Sequence, residues 1–233
     1  MALAGLDLDV RVGEFVSLLG PSGCGKSTAL RILAGLSAPS AGAVAWPQGA
    51  RRIGFVFQEP TLMPWATVAA NVALPLELAH ADRRKSHGAV QQCLARVGLT
   101  DFAGAYPRAL SGGMKMRASI SRALVTEPDL LLMDEPFAAL DEITRFRLNN
   151  DLLGLWQALG RTVVFVTHSV FESVYLSQRI LVMGPRPGRV MAEIAIPAAY
   201  PRDEDFRTSA EYAGYCRQVA QALAAAMVGE RAT

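Results

Sequence analysis

The run Gly20-Pro21-Ser22-Gly23-Cys24-Gly25-Lys26-Ser27-Thr28 constrains the fold more than any other feature of the chain, because it fits Gly-x4-Gly-Lys-Ser/Thr at every position and has the right neighbours. Before it, Phe15-Val16-Ser17-Leu18-Leu19 reads as a buried strand. After it, from Thr28 to Leu36, apolar Leu30, Leu33 and Ala34 recur at the spacing of one helix face. A strand, a glycine loop and a helix start together present backbone N–H groups that can surround phosphate oxygens. Lys26 adds a point charge for the outer phosphates, and Ser27 a hydroxyl suited to Mg2+. An ordinary glycine turn joining strand to helix is the plainer alternative for this run taken alone.

Composition narrows the field. At 233 residues the chain can bury a full core, as one large domain or two small ones. Its hydrophobic share is 51%, yet no stretch approaches the roughly 18 apolar residues of a membrane span, so the surplus belongs to a sheet core or a docking surface. A net charge of +2 provides no field for a polyanion, which argues against nucleic acid as a partner. The basic run Arg83-Arg84-Lys85 is expected to be a solvated helix face, with lipid headgroups or acidic protein as the alternative. Cys24, Cys93 and Cys216 form no C-x-x-C and lie far from any histidine at ligand spacing, and Asp7 and Asp9 break any apolar leader. Reduced thiols in the cytoplasm are therefore expected. Cys24, inside the phosphate loop among cationic donors, is expected to be reactive, with a bound triphosphate protecting it.

Strand-like segments recur at Glu14–Leu19, Ala43–Trp46, Ile53–Phe57, Leu130–Met133, Thr162–Val166, Ile180–Met183 and Val190–Ile194, with helical patterns between several of them. This alternation predicts an α/β core. Strand signals vanish between Gln58 and about Leu124, where Val68–Ala79, Asp82–Val97 and Ser111–Val125 are helix-like. The expected organisation is one domain over 1–233. Its α/β core takes 1–58 and 125–200, a helical subdomain is inserted at 59–124, and a helical segment follows at 201–233. Glu59-Pro60-Thr61-Leu62-Met63-Pro64-Trp65, rich in proline and large apolar groups, either plugs into the core or offers a contact surface.

Leu130-Leu131-Leu132-Met133-Asp134-Glu135 is an apolar strand ending in two carboxylates. Set beside the strand that feeds the phosphate loop, it would bring Asp134 to a Mg2+ shell and Glu135 to a water facing a γ-phosphate. A simple helix-capping pair is the alternative, since Pro136 follows. Ser111-Gly112-Gly113 before the helix-compatible Met114–Leu124 forms a second set of bare N–H donors at a helix start. Two phosphate-binding helix starts separated by a whole subdomain are hard to reconcile with one nucleotide in a monomer.

On these residues the chain resembles the nucleotide-binding subunit of an ABC transporter. The glycine loop Gly20–Thr28 is similar to that family's Walker A and Gln58 to its Q-loop glutamine. Leu110–Gly113 resembles its signature, Asp134 and Glu135 its Walker B and catalytic glutamate, Ala139-Leu140-Asp141 its D-loop, and His168 its switch histidine, all in the family's order. The likeness extends to about Val190. Gln58–Trp65, Met114 and Met183–Arg189 further resemble the importers of nitrate, sulfonate, taurine and related solutes. Met114 stands where the broader family has a glutamine. The aromatic residue that stacks on adenine in the family would fall before Met1, which implies either an upstream start or weaker nucleotide binding.

The resemblance implies a P-loop NTPase core with a mostly parallel sheet plus the inserted helical subdomain, and an ATPase using ATP and Mg2+. Catalysis would fall to Glu135, His168 and Gln58. Nucleotide would be held by Gly20, Pro21, Ser22, Gly23, Cys24, Gly25, Lys26, Ser27 and Thr28 with Ser111, Gly112, Gly113 and Asp141, and the metal by Ser27, Gln58 and Asp134. The implied partners are a second copy of the chain, transmembrane permease subunits and, indirectly, an extracytoplasmic solute-binding protein, at the cytoplasmic face of the inner membrane. Three alternatives stand beside this reading: a regulatory or weakly hydrolysing subunit of the same family, a soluble ABC ATPase acting on DNA or ribosomes, and a P-loop kinase or GTPase. The last would not need Ser111–Gly113 or His168.

Overall fold

A computed structural model describes residues 1–46, 49 and 51–228. Along the chain run β1 (Phe15–Leu19), α1 (Lys26–Leu33), β2 (Ile53–Val56), α2 (Val68–Leu78), α3 (Arg83–Arg96), α4 (Gly112–Leu124), β3 (Leu130–Asp134), α5 (Glu142–Leu159), β4 (Thr162–Thr167), α6 (Val170–Leu176), β5 (Arg179–Met183), β6 (Val190–Ala195), α7 (Glu204–Thr208) and α8 (Ala210–Val228). They form two compact units, Met1–Pro47 with Thr162–Thr233, and Gln48–Arg161.

In the first unit β1 lies between β4 and β5, parallel to both, with Phe15 opposite Val163 and Ser17 opposite Ile180. β6 closes the edge antiparallel to β5. β1 and β4 are buried at every position, which is why they read as unbroken apolar runs rather than alternating ones. A strand edge has room for one neighbour on each side, and β4 and β5 fill both edges of β1. β3 therefore does not pair with the strand feeding the phosphate loop, contrary to the sequence expectation. α8 packs on α6, β5 and β6.

In the second unit β2 and β3 run parallel, Ile53 opposite Leu130 and Val56 opposite Met133. α2 packs against α3 and α4, α3 against α4, and α4 against α5. Helix starts here are defined by side-chain caps: Thr67 for α2, Asp82 for α3, Ser111 for α4 and Asp141 for α5. α5 ends at Gly160, whose φ of 58° few other residues adopt cheaply.

Residues 43–46, expected as a strand, are not one. Ala43 and Ala45 are exposed, alanine is a poor strand former, and Gly42 at φ 82° turns the chain just before them. α1 starts and stops earlier than its periodicity suggests, because Gly25 opens it and Gly35, at φ 71°, ends it.

Candidate functional site

The first unit holds the phosphate loop and His168. The loop leaves β1 at Gly20 and enters α1 at Lys26. Gly25 is the N-cap residue at φ 102°, and no side chain caps this helix, unlike α2 to α7. An alanine at Gly25 would also put its Cβ 2.6 Å from Leu3 Cδ2 and 2.9 Å from the Ala2 carbonyl oxygen. The helix start therefore has a reason to be glycine on two counts, and no N-cap side chain bonds back onto its first turn. Lys26 is only 4% exposed, and its Nζ donates to the carbonyls of Gly20 (2.8 Å) and Pro21 (2.9 Å). The ammonium is thus anchored over the loop. A cradle of backbone donors with a fixed cation suits a polyphosphate.

Cys24 departs from the sequence expectation. Its thiol is 1% exposed, with the Lys26 ammonium 3.9 Å from Sγ, so the sulfur is shielded from reagents.

His168 follows the last residue of β4 and is exposed. Its flanks are braced: Thr167 Oγ1 donates to the buried Glu172 carboxylate (2.5 Å) and accepts from the Ser169 N–H (2.9 Å), while Ser169 Oγ caps α6 through the Glu172 N–H (3.3 Å). The histidine's main chain is therefore fixed on both sides.

The second unit holds Gln58, Ser111–Gly113, Asp134, Glu135 and Asp141. Gln58 lies just past β2 and is exposed. Ser111 caps α4 through the Met114 N–H (3.3 Å), which commits its hydroxyl oxygen as an acceptor and leaves Ser111 and Gly112 exposed at the helix start. Gly113 is buried against α5, where an alanine Cβ would meet Thr144 Cγ2 at 2.7 Å. Asp134 ends β3, and the next residue, Glu135, has φ 46°. A non-glycine residue before proline is normally driven to extended backbone. Holding Glu135 in the left-handed region is local strain of the kind that collects at reacting centres. Asp141 Oδ1 accepts from the Thr144 N–H (2.9 Å), and that hydrogen bond holds its carboxyl below the usual range. The side chain is a helix cap, a role that the sequence pattern also allows.

Sequence reading overlooked two neighbours of these residues. Arg122 on α4 donates to Pro60 and Thr61, close to Gln58. Asn71 on α2 is fully buried and holds Met63, Ala66 and Thr67. A polar residue on an otherwise apolar face of α2 was the available signal for Asn71.

Comparison with known proteins bears on both units. Residues 3–138 match the ABC transporter family. An ATP-binding protein of Brucella abortus is 48% identical over 229 residues, covering 96% of this chain and 88% of that protein. The aliphatic sulfonates import ATP-binding protein SsuB 1 of Pseudomonas syringae is 49% identical over 201 residues, 86% of this chain and 82% of that one. Among solved structures, the dimeric ATP-binding cassette MJ0796 in a post-hydrolysis state bound to ADP and Pi is 34% identical. It superposes with a TM-score of 0.73 over 85% of this chain and 92% of that chain.

Proposed function

This chain belongs to the ABC transporter family of ATP-hydrolysing proteins, and from that premise we propose that two copies of it enclose two ATP molecules and drive an importer. In each site the phosphate loop and Lys26 of one copy hold the β- and γ-phosphates, and Ser111, Gly112 and Gly113 of the second copy face them from the other side. The similarity to a dimeric cassette bound to ADP and Pi supports this arrangement. Glu135 accepts a proton from the attacking water as its oxygen adds to the γ-phosphorus and ADP departs. His168 donates to the γ-phosphate, and Gln58 orients the water. Asp141 stands at the start of α5 beside the signature.

Mg2+ would be held by the Ser27 hydroxyl, the Gln58 amide oxygen and the Asp134 carboxylate, an all-oxygen donor set suited to a hard cation. When bound, it neutralises charge that develops on the phosphate oxygens.

The observation that carries the reading is the backbone of Glu135, strained at φ 46° directly after the strand-end Asp134 in a chain of this family. Glu135→Gln is the test, scored by nucleotide binding and steady-state hydrolysis in the purified chain. Binding is expected to persist while turnover drops at least a hundredfold, on the scale of a lost general base. Normal turnover would remove Glu135 from its role and would favour a different base.

Within 59–124, exposed Trp65, Leu78, Phe102 and Tyr106 provide the apolar surface for a cytoplasmic helix of a permease. The family and the sulfonate-import ATP-binding relatives support a peripheral subunit at the cytoplasmic face of the inner membrane; no helix of the described residues is long and apolar enough to cross a membrane. The sulfonate-import relatives support a small anionic solute, delivered by an extracytoplasmic binding protein. Loss of permease assembly in Trp65→Glu and Leu62→Glu chains is expected, and unchanged assembly would move the docking surface elsewhere.

A further inference from the structure

The segment after Gln58 is gripped from two helices. Arg122 on α4 donates through Nη1 to the Thr61 carbonyl (2.8 Å) and through Nη2 to the Pro60 carbonyl (2.9 Å) and Thr61 Oγ1 (2.8 Å). Thr61 sits at φ 46°, a costly conformation for a β-branched residue, so its geometry needs an outside hold. Farther along, the Asn71 side chain accepts from the Met63 N–H (2.6 Å) and donates to the carbonyls of Met63 (3.1 Å), Ala66 (3.1 Å) and Thr67 (3.0 Å). The loop is thereby pinned to α4 at its beginning and to α2 at its end, and those two helices pack on each other. Exposed Gln58 and Glu59 adjoin the α4 pin directly. The helix carrying Arg122 is the one that opens at Ser111, about 16 Å away at 1.5 Å per residue.

We propose that Arg122 is a positioning residue of the nucleotide site, whose guanidinium fork locks the Gln58 loop to the signature helix so that both move as one piece. This rests on the role given to Gln58 above. A displacement imposed at the exposed Trp65 end then reaches Gln58 and Ser111 together rather than one without the other. The planar fork is essential, since it meets three oxygens on two adjacent residues at once. A lysine ammonium at the end of a flexible stem cannot reproduce that fixed geometry.

The test compares Arg122→Lys with Arg117→Lys in the full chain. Arg117 is on the same helix but pairs with Asp151, away from the loop. Lysine and arginine have near-equal helix propensity, so α4 itself is retained. Hydrogen exchange of the peptide covering residues 59–67, without nucleotide, is expected to accelerate at least tenfold in Arg122→Lys and to stay unchanged in Arg117→Lys. In parallel, kcat for ATP is expected to fall about tenfold with KM within twofold in Arg122→Lys, and to fall at least as far in Gln58→Ala. Unchanged exchange in Arg122→Lys overturns the clamp. Faster exchange with full kcat, while Gln58→Ala is impaired, overturns the positioning role. Full kcat in Gln58→Ala as well overturns the Gln58 reading beneath it.

Discussion

Gly113→Ala tests whether close packing of α4 on α5 sets the position of the signature donors. The added Cβ would lie 2.7 Å from Thr144 Cγ2, about 1 Å inside an ordinary carbon–carbon contact of roughly 3.5 to 4.0 Å. Both atoms sit at helix starts, so relief requires the first turns of α4 and α5 to separate. Overpacking of this kind costs about 1–3 kcal/mol. Replacing glycine by alanine inside a helix returns about 1 kcal/mol. The net expectation is a loss of up to about 2 kcal/mol, which at about 2–4 °C per kcal/mol for a chain of this size is a fall in Tm of at most about 4–8 °C. The decisive arm is Gly113→Ala combined with Thr144→Ser, which deletes the obstructing methyl and keeps the Thr144 N–H that caps through Asp141. With the clash gone, only the helix-propensity gain remains, so the double variant is expected to melt at or above the wild-type temperature. Thermal unfolding by circular dichroism on all four proteins closes the cycle. A double variant no more stable than Gly113→Ala alone would refute the steric argument.

Other expectations follow from the same packing. Burial pushes the Tyr200 hydroxyl up to about 12 and raises Tyr212 as well, while Tyr200 donates to the Leu176 carbonyl and Tyr212 to the Phe171 carbonyl. Above pH 10 the unfolded chain loses these protons and the folded chain keeps them, so stability is full below pH 10 and drops as pH rises toward 12. Urea midpoints between pH 9 and 11 are expected to fall, less steeply in Tyr200→Phe; equal slopes would contradict the assignment. Arg179 bonds the buried Glu14 carboxylate (2.8 Å) and Glu193 (3.0 Å), so Arg179→Met leaves Glu14 uncompensated and is expected to cost about 3 kcal/mol in urea unfolding. A loss below about 1 kcal/mol would show that the pair is screened like a surface bridge.

Much of the fold was legible because its strands are buried on both faces: Phe15–Leu19, Leu130–Met133 and Thr162–Val166 carry no alternation to misread. What was missed has specific causes. β3 was expected beside β1 because each strand carries a motif. Pairing order, however, is a tertiary choice that the local pattern of Thr162–Thr167 does not announce. Residues 43–46 alternate like a strand yet find no partner, and α5 went unnamed because Asp141, its cap, had already been assigned to a motif. For the site, residue types and spacing single out Lys26, Ser111, Asp134 and Glu135 as candidates. Sequence did not show that Glu135 is strained, that Cys24 is shielded, or that Arg122 and Asn71 hold the Gln58 loop. Those facts depend on side-chain packing among distant segments.

The central claim, that each catalytic centre draws on two copies of the chain, is tested by mixing two inactive variants, Lys26→Ala and Ser111→Arg. Each homodimer lacks a needed group in both sites, whereas the mixed dimer combines both defects in one site and leaves the other intact. With random pairing of equal amounts, half the dimers are mixed and have one working site of two, so hydrolysis is expected to recover to about a quarter of the wild-type rate. A mixture that forms dimers with ATP yet hydrolyses no faster than either variant alone would contradict the shared site.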